Sequence, residues 1–291
     1  MAIALEGRPV SRAVLARVRA ESDHFATHTG GVPMLAVVLA GLDESARAYF
    51  NAIQRTFRAA SLALRPLDLA ADVEVDRVRD LLEDLNHDSG VNGVIVLQPL
   101  PPQVQHDFPS RLLDPAKDVD GITPENVGRL ALGLDHLPPS TPAGGLAILR
   151  HYDVQLAGRE AVVIGRSPVV GKPMALLLLA ADATVTVCHS HSHDLARIAH
   201  GADILVAAAG RPRMVTAEFV KPGATVIDFG VTVVNGKLVG DVDPAVAEIA
   251  GALTPVPGGT GMVTNAMLAL NTVRAAMRQR EVPFPAAADI A

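Results

Sequence analysis

An α/β protein of two domains, the second a doubly wound parallel sheet, is the fold class this sequence predicts, and three observations predict it. Short apolar runs alternate with amphipathic stretches of helical period along most of the chain. One run, Ala161-Val-Val-Ile164, breaks at Gly165 and restarts as a helix near Pro173. The proline-dense stretch Leu137-Pro-Pro-Ser-Thr-Pro142 stands between two sets of such units and reads as a linker or cleft wall, not as helix or central strand. The expected domains are 1–139 with 262–291, and 140–261.

Taken in order, Met34–Ala40 is a buried strand, followed by a helix from about Ser45 to Ala60. Leu62–Leu67 is a second strand, weakened by Pro66. Val75, Val78, Leu81, Leu82 and Leu85 then fall on one face of a helix. Gly93–Pro99 is a strand that its prolines end. In the second half the strands are 161–164, 184–188, 203–208 and 225–229, each short and apolar. A last helix, roughly Val263 to Gln279, is expected to return to the first domain, and the tail from Val282 to be loosely ordered.

Composition narrows the function classes. The 291 residues are 49% hydrophobic and 19% charged, with no Trp, two Tyr and a net charge of −6. Neither a basic footprint nor aromatic stacking platforms for nucleic acid are present. The N-terminus lacks a basic start and a long apolar core, and no apolar run is long enough for a membrane span, so a cytoplasmic protein with a small-molecule partner is expected. Cys188, the single cysteine, can form no intrachain disulfide and reads as structural.

The turn after Ile164 reads as a site for an anion, or else as a glycine-bearing strand-to-helix turn with no ligand. Gly165 frees the backbone for a tight turn, Gly171 permits close packing, and Pro173 suits the first turn of a helix whose N-terminus attracts phosphate. The Gly165-to-Gly171 spacing is neither the Gly-x-Gly-x-x-Gly fingerprint nor a phosphate loop ending in Gly-Lys-Ser/Thr. The next strand, Thr184–Cys188, ends at His189 and Ser190 with no carboxylate to bond ribose hydroxyls, and Arg166 stands in the preceding turn. That pattern favours a cofactor carrying a 2′-phosphate, hence NADP.

Further stretches stand where strands end: Tyr49 on its helix, Gln98-Pro-Leu-Pro101, Lys117-Asp-Val-Asp-Gly121, and Thr254-Pro-Val-Pro-Gly-Gly-Thr-Gly261. Such ends are where open α/β sheets bind ligands, although Lys117–Gly121 also reads as a solvated turn and Pro257-Gly-Gly259 as an ordinary loop. Four motifs, Gly165–Pro173, Lys117–Gly121 with Asn126-Val-Gly-Arg129, Ser140-Thr-Pro142 and Thr254–Gly259, make the chain resemble the methylenetetrahydrofolate dehydrogenase/methenyltetrahydrofolate cyclohydrolase family from about residue 35 to 275.

The resemblance implies an N-terminal folate domain, an NADP domain, a cleft between them and a homodimer. It implies that Tyr49 lies against the aminobenzoyl ring of a tetrahydrofolate substrate and that Asp120 binds the amino edge of the pterin, both serving catalysis. Gln98 and Pro257, Gly258, Gly259, Thr260 and Gly261 would complete the folate site. Gly165, Arg166, Ser167, Val170, Gly171, His189, Ser190 and Val231 would hold NADP, with Val231 near the nicotinamide.

Two departures from the family pattern bear on activity. Where the family has its catalytic lysine, four residues after the tyrosine, this chain has Ile53. Where the family strand has glutamine, this chain has Leu97, and Gln98 belongs to the other face. The resemblance assigns the lysine to water and proton handling in the cyclohydrolase step, so hydride transfer is expected to survive and hydrolysis to be weak or lost. The alternatives are a nucleotide-binding member without turnover, and a fully bifunctional enzyme with a substitute residue. Thr260, Met262 and Val263 also depart from the family's Val, Pro and Met. A metal site at His189-Ser-His-Ser-His193 is not expected, since it lies where ribose phosphate belongs, and Gly165-Arg-Ser-Pro-Val169 lacks the second glycine of a nucleophile elbow.

Overall fold

The computed structural model describes residues 1–41 and 44–285, with the side chains of Glu44 and Ser45 left aside. In chain order its first half carries β1 (Ile3–Ala4), α1 (Gly7–Thr29), β2 (Met34–Ala40), α2 (Glu44–Ala59), β3 (Ala63–Leu69), α3 (Val75–His87), β4 (Gly93–Val96), α4 (Phe108–Leu112) and α5 (Pro124–Ala131). The second half carries α6 (Ser140–His151), β5 (Glu160–Ile164), α7 (Gly171–Ala180), β6 (Thr184–Cys188), α8 (Leu195–His200), β7 (Ile204–Ala207), β8 (Thr225–Asp228), β9 (Thr232–Val234), β10 (Lys237–Val239), β11 (Ala252–Leu253) and α9 (Thr260–Gln279). Contacts divide the chain into two compact units, one of Val14–Ser140 with the described residues from Asn265 onward, the other of Met1–Ala13 with Thr141–Thr264.

The first unit holds a three-stranded parallel sheet in the order β3-β2-β4. From Leu35 to Ala40, β2 is buried throughout, as its unbroken apolar sequence requires of a central strand. Pro66 is tolerated because β3 is an edge: it sits opposite Val37 and no third strand needs its missing amide. Val78, Leu82 and Leu85 of α3 pack with Ala36 and Val38 of β2 and with Val94 and Val96 of β4. The 117–119 segment adds itself beside β4, with the Val94 amide donating to the Lys117 carbonyl at 2.8 Å. Gly93 makes this possible, because a Cβ there would stand 2.5 Å from Val119 Cγ1. On α9, the Asn271 amide donates to the carbonyls of Val119 and Pro138, both at 2.8 Å, and so holds two loops in place.

The second unit holds a six-stranded sheet in the order β1-β11-β8-β7-β5-β6, parallel at every pairing. Its order reverses beside β5, so ligand chemistry belongs at the carboxyl end of β5. One side of the sheet is filled by Val162, Ile164, Leu205, Ala207 and Val226, closed by Ala199, Val215, Val220 and Val246. Cys188 belongs to this core, at 1% exposure, and burial pushes its thiol up.

Four points differ from what the sequence predicts. Ser140-Thr-Pro142 is not linker: it opens α6, and Pro142 falls in the first helical turn, where amides have no intrahelical partner to lose. The last helix starts at Thr260, so Thr260 and Gly261 are helical. The 23-residue α1 is absent from the elements expected above, although Val10, Val14, Val18 and Phe25 recur on one buried face. The tail expected to be loose includes Val282, which is buried, while its continuation from residue 286 lies outside the described residues.

Candidate active site and nucleotide pocket

The turn between β5 and α7 has the form its sequence requires. Gly165 adopts φ +128°, and a Cβ there would stand 2.1 Å from the Ala208 carbonyl oxygen. Gly171 lies against the same turn, where a Cβ would meet the Gly165 carbonyl oxygen at 2.3 Å. The Ser167 hydroxyl accepts from the amides of Val170 at 3.1 Å and Gly171 at 3.3 Å, and so ties the turn to the first residues of α7. The Gly165 amide donates to Cys188 O and the Ala208 amide to Ile164 O, which join the turn to the ends of β6 and β7.

These ends enclose a pocket of about 360 Å³ lined by Gly165, Arg166, Ser167, His189 and Ser190. It brings together five of the eight residues expected to hold a nucleotide. Val170 and Gly171 support the turn from behind, and Val231 is exposed beyond the end of β8. Ser192, Ala208, Ala209, Arg211 and Met214 also line the pocket and were missed. Their signal was position, since the 208–211 segment follows the carboxyl end of β7. Arg166, Ser167 and Ser190 supply donors, the glycines supply close backbone approach, and no carboxylate lines the pocket, so the residues present fit a phosphorylated nucleotide.

Buried acids organise the wall beside this pocket. Asp228 Oδ1 accepts from the amides of Gly230 at 2.7 Å and Asp241 at 3.0 Å, and Oδ2 accepts from Val242 at 3.0 Å. Burial raises its pKa, opposed by those three amides. Asp241 Oδ2 in turn accepts from the amides of Ala209 at 2.7 Å and Gly210 at 2.8 Å. Thr260 Oγ1 donates to the Asp228 carbonyl at 2.9 Å, so its hydroxyl is engaged within the fold. Near it Pro257 and Gly261 are exposed, Gly258 is half-buried with φ +112°, and Gly259 is buried.

The other set of candidates lies in the first unit. Tyr49 stands on α2 at 36% exposure, and its phenol is raised above its ordinary pKa by burial and by the neighbouring Asp120 carboxyl. Asp120 is half-buried and pushed up to about 7, by loss of water and then by repulsion from Asp118. Asp118 itself is fully buried, accepting from Thr123 N at 2.7 Å and Asn126 Nδ2 at 2.9 Å. Lys117 is no solvated turn residue: its ammonium donates to the carbonyls of Leu85 and Asp88, both at 2.7 Å, and burial lowers its pKa.

Ile53, one helical turn beyond Tyr49, has 0% exposure, and Leu97 has 3%. The Leu97 amide donates to Val38 O at 2.9 Å, which continues the β4 pairing. Gln98 is exposed and accepts from Leu100 N at 3.2 Å. Among the described residues no group of three or more His, Cys, Asp or Glu is disposed to hold a metal ion. No described helix is long and apolar enough to cross a membrane.

Comparison with known proteins shows the family and the fold. The catalytic-domain model of tetrahydrofolate dehydrogenase/cyclohydrolase matches residues 5–120, and its NAD(P)-binding-domain model matches residues 139–280. The chain is 51% identical to the "Bifunctional protein FolD" of Thermomicrobium roseum over 97% of this chain and 98% of that one. The crystal structure of FolD methylenetetrahydrofolate dehydrogenase/cyclohydrolase from Campylobacter jejuni matches with a TM-score of 0.92 and 35% identity, covering 96% of this chain and 99% of that one. That of the Trypanosoma brucei enzyme, complexed with NADP cofactor and inhibitor, matches with a TM-score of 0.90 and 34% identity, covering 95% and 98%.

Proposed function

The chain belongs to the tetrahydrofolate dehydrogenase/cyclohydrolase family, and from that premise we propose that it oxidises 5,10-methylenetetrahydrofolate to methenyltetrahydrofolate with NADP and hydrolyses the product weakly or not at all. The observation that carries the second half is Ile53, a fully buried aliphatic side chain one turn from Tyr49.

The two half-reactions differ in what they ask of the protein. Oxidation moves one hydride from the methylene carbon and leaves a cation, with no proton to place. Hydrolysis adds water and releases a proton, so it requires an acceptor beside the reacting carbon. An isoleucine accepts nothing, and Leu97 is equally inert.

In this reading Tyr49 offers a flat ring and Asp120 a carboxylate to the amino edge of the pterin, which together fix the folate. Pro257, Gly258, Gly259, Thr260 and Gly261 complete the folate-binding set of this reading. Gln98 stands at the folate side as an amide. Arg166, Ser167, His189 and Ser190 bind the adenosine end of NADP and Val231 excludes water at the other, with Gly165, Val170 and Gly171 shaping the cradle. The nicotinamide, when bound, supplies the hydride acceptor, and the protein's contribution is position. A homodimer located in the cytoplasm completes the reading, and light scattering tests the dimer.

The test supplies methylenetetrahydrofolate with NADP, then with NAD, following reduced cofactor and methenyl product together. NADP reduction with methenyl accumulation supports the proposal, and reduction of neither cofactor rejects it. A second reading has one observation in its favour: the Asp120 carboxyl, pushed up to about 7, is able to take a proton near neutrality. Methenyl hydrolysis by the unmodified protein that rises with pH through that value would favour a bifunctional enzyme with Asp120 as substitute acceptor.

A further inference from the structure

Arg211 lines the same pocket as Arg166 and lies 45 positions away in the chain. Both guanidinium groups are exposed, and among the described residues neither is engaged by a carboxylate. Two unpaired guanidinium groups on one small concavity repel each other unless an anion lies between them.

The turn that carries Arg211 is pinned on both sides. Before it, the amides of Ala209 and Gly210 donate to Asp241 Oδ2 at 2.7 and 2.8 Å. After it, the Arg213 amide donates to Gly240 O at 3.0 Å and the Val215 amide to Asp241 O at 2.9 Å. Gly210 takes φ +63°, which turns the chain at the residue before the arginine. Asp241 is fully buried and its own amide is held by Asp228, so the anchor belongs to the core of the domain. Arg211 is therefore presented from a fixed backbone, and less of its freedom is lost on binding than for an arginine on a loose loop.

Resting on the NADP reading above, we propose that Arg211 is a second cofactor-specificity residue, whose guanidinium acts with that of Arg166 on the phosphomonoester of the adenosine ribose. The pocket also holds Ser190 and His189, at the end of the strand expected to face that ribose. A guanidinium forks onto two phosphate oxygens, and two of them neutralise a dianion that one leaves half-compensated. Asp241 acts through the turn, as a positioning residue.

The experiment is calorimetric binding of 2′,5′-ADP and of 5′-AMP to the unmodified protein, to Arg211→Gln and to Arg211→Lys. Arg211→Gln is expected to weaken 2′,5′-ADP by about tenfold, as loss of one charge-assisted contact would, and to leave 5′-AMP unchanged. Arg211→Lys is expected to recover part of the loss, because it restores charge without the fork. Equal affinity of Arg211→Gln and the unmodified protein for 2′,5′-ADP overturns the role of Arg211 and leaves the NADP reading standing. Equal weakening of both nucleotides overturns it too, by placing the arginine on the 5′-phosphate. An unmodified protein that does not distinguish the two nucleotides overturns the NADP reading, and the role of Arg211 with it.

Discussion

Asp228 Oδ1 accepts the backbone amide of Asp241 at 3.0 Å, so that one buried acid holds the main chain of another. Through Asp241 the same chain of bonds reaches Ala209 and Gly210 on the nucleotide pocket, and through Asp228 it reaches Gly230 beside Val231. Replacing Asp228 with Ala strips three amides of their acceptor inside the fold. The expected cost is about 3 kcal/mol or more of stability, read by urea unfolding. A change within the scatter of ordinary surface substitutions would show that these bonds do not brace the domain.

Gly165 permits a second test. An added methyl would collide with the Ala208 carbonyl oxygen at 2.1 Å, and φ +128° is a conformation that side chains resist. Gly165→Ala is expected to lose about 2 kcal/mol or more and, with it, most of the thermal protection that NADP gives. Full protection by NADP in that variant would place the nucleotide elsewhere.

Asp120 makes stability depend on pH with an unusual sign. Its carboxyl ionises at about 7 in the folded protein against an ordinary 3.8. Between about pH 4 and about pH 7 the folded state therefore holds more protons than the unfolded one, and the stability contributed here falls as pH rises through that window. Asp120→Asn removes the titration, so its Tm relative to the unmodified protein should rise from about pH 5 to about pH 8. If Asp120 binds the pterin as proposed, its ionised form is the acceptor, and kcat/KM for the folate should fall below about pH 7. A Tm difference independent of pH would contradict this account.

Ile53 carries both packing and function. Ile53→Ala, at a position with 0% exposure, should cost about 2–5 kcal/mol. Ile53→Lys with Leu97→Gln should also lose stability, since an ammonium is buried, while gaining methenyl hydrolysis above the level of the unmodified protein. Absence of any gain in a variant that still oxidises methylenetetrahydrofolate would count against the assignment of this position.

The strands were legible because a central parallel strand must be apolar along its whole length: β2 runs from Met34 to Ala40 as expected, and β7 (Ile204–Ala207) falls within the expected 203–208. Helices that begin among prolines or arginines were harder. Pro142 argued against α6 yet occupies a first turn that has no use for its amide, and α1 spreads its buried residues among arginines. The form of the turn between β5 and α7 was legible through Gly165, Gly171 and Pro173, which are local requirements. Arg211 and Asp241 did not, because their meaning depends on the sheet bringing positions 209 and 241 to one edge. Lys117 was ambiguous for a similar reason, since the carbonyls of Leu85 and Asp88 that bury its charge lie on another element.

The most direct test of the account is the fate of the methenyl product. Purified protein oxidising methylenetetrahydrofolate with NADP should accumulate methenyl product nearly one for one with NADPH, and added protein should speed the loss of pre-formed methenyltetrahydrofolate far less than it speeds NADP reduction. Protein-dependent loss of methenyl as fast as NADPH formation would contradict the claim that hydrolysis is weak or absent in a chain with Ile53 one turn from Tyr49.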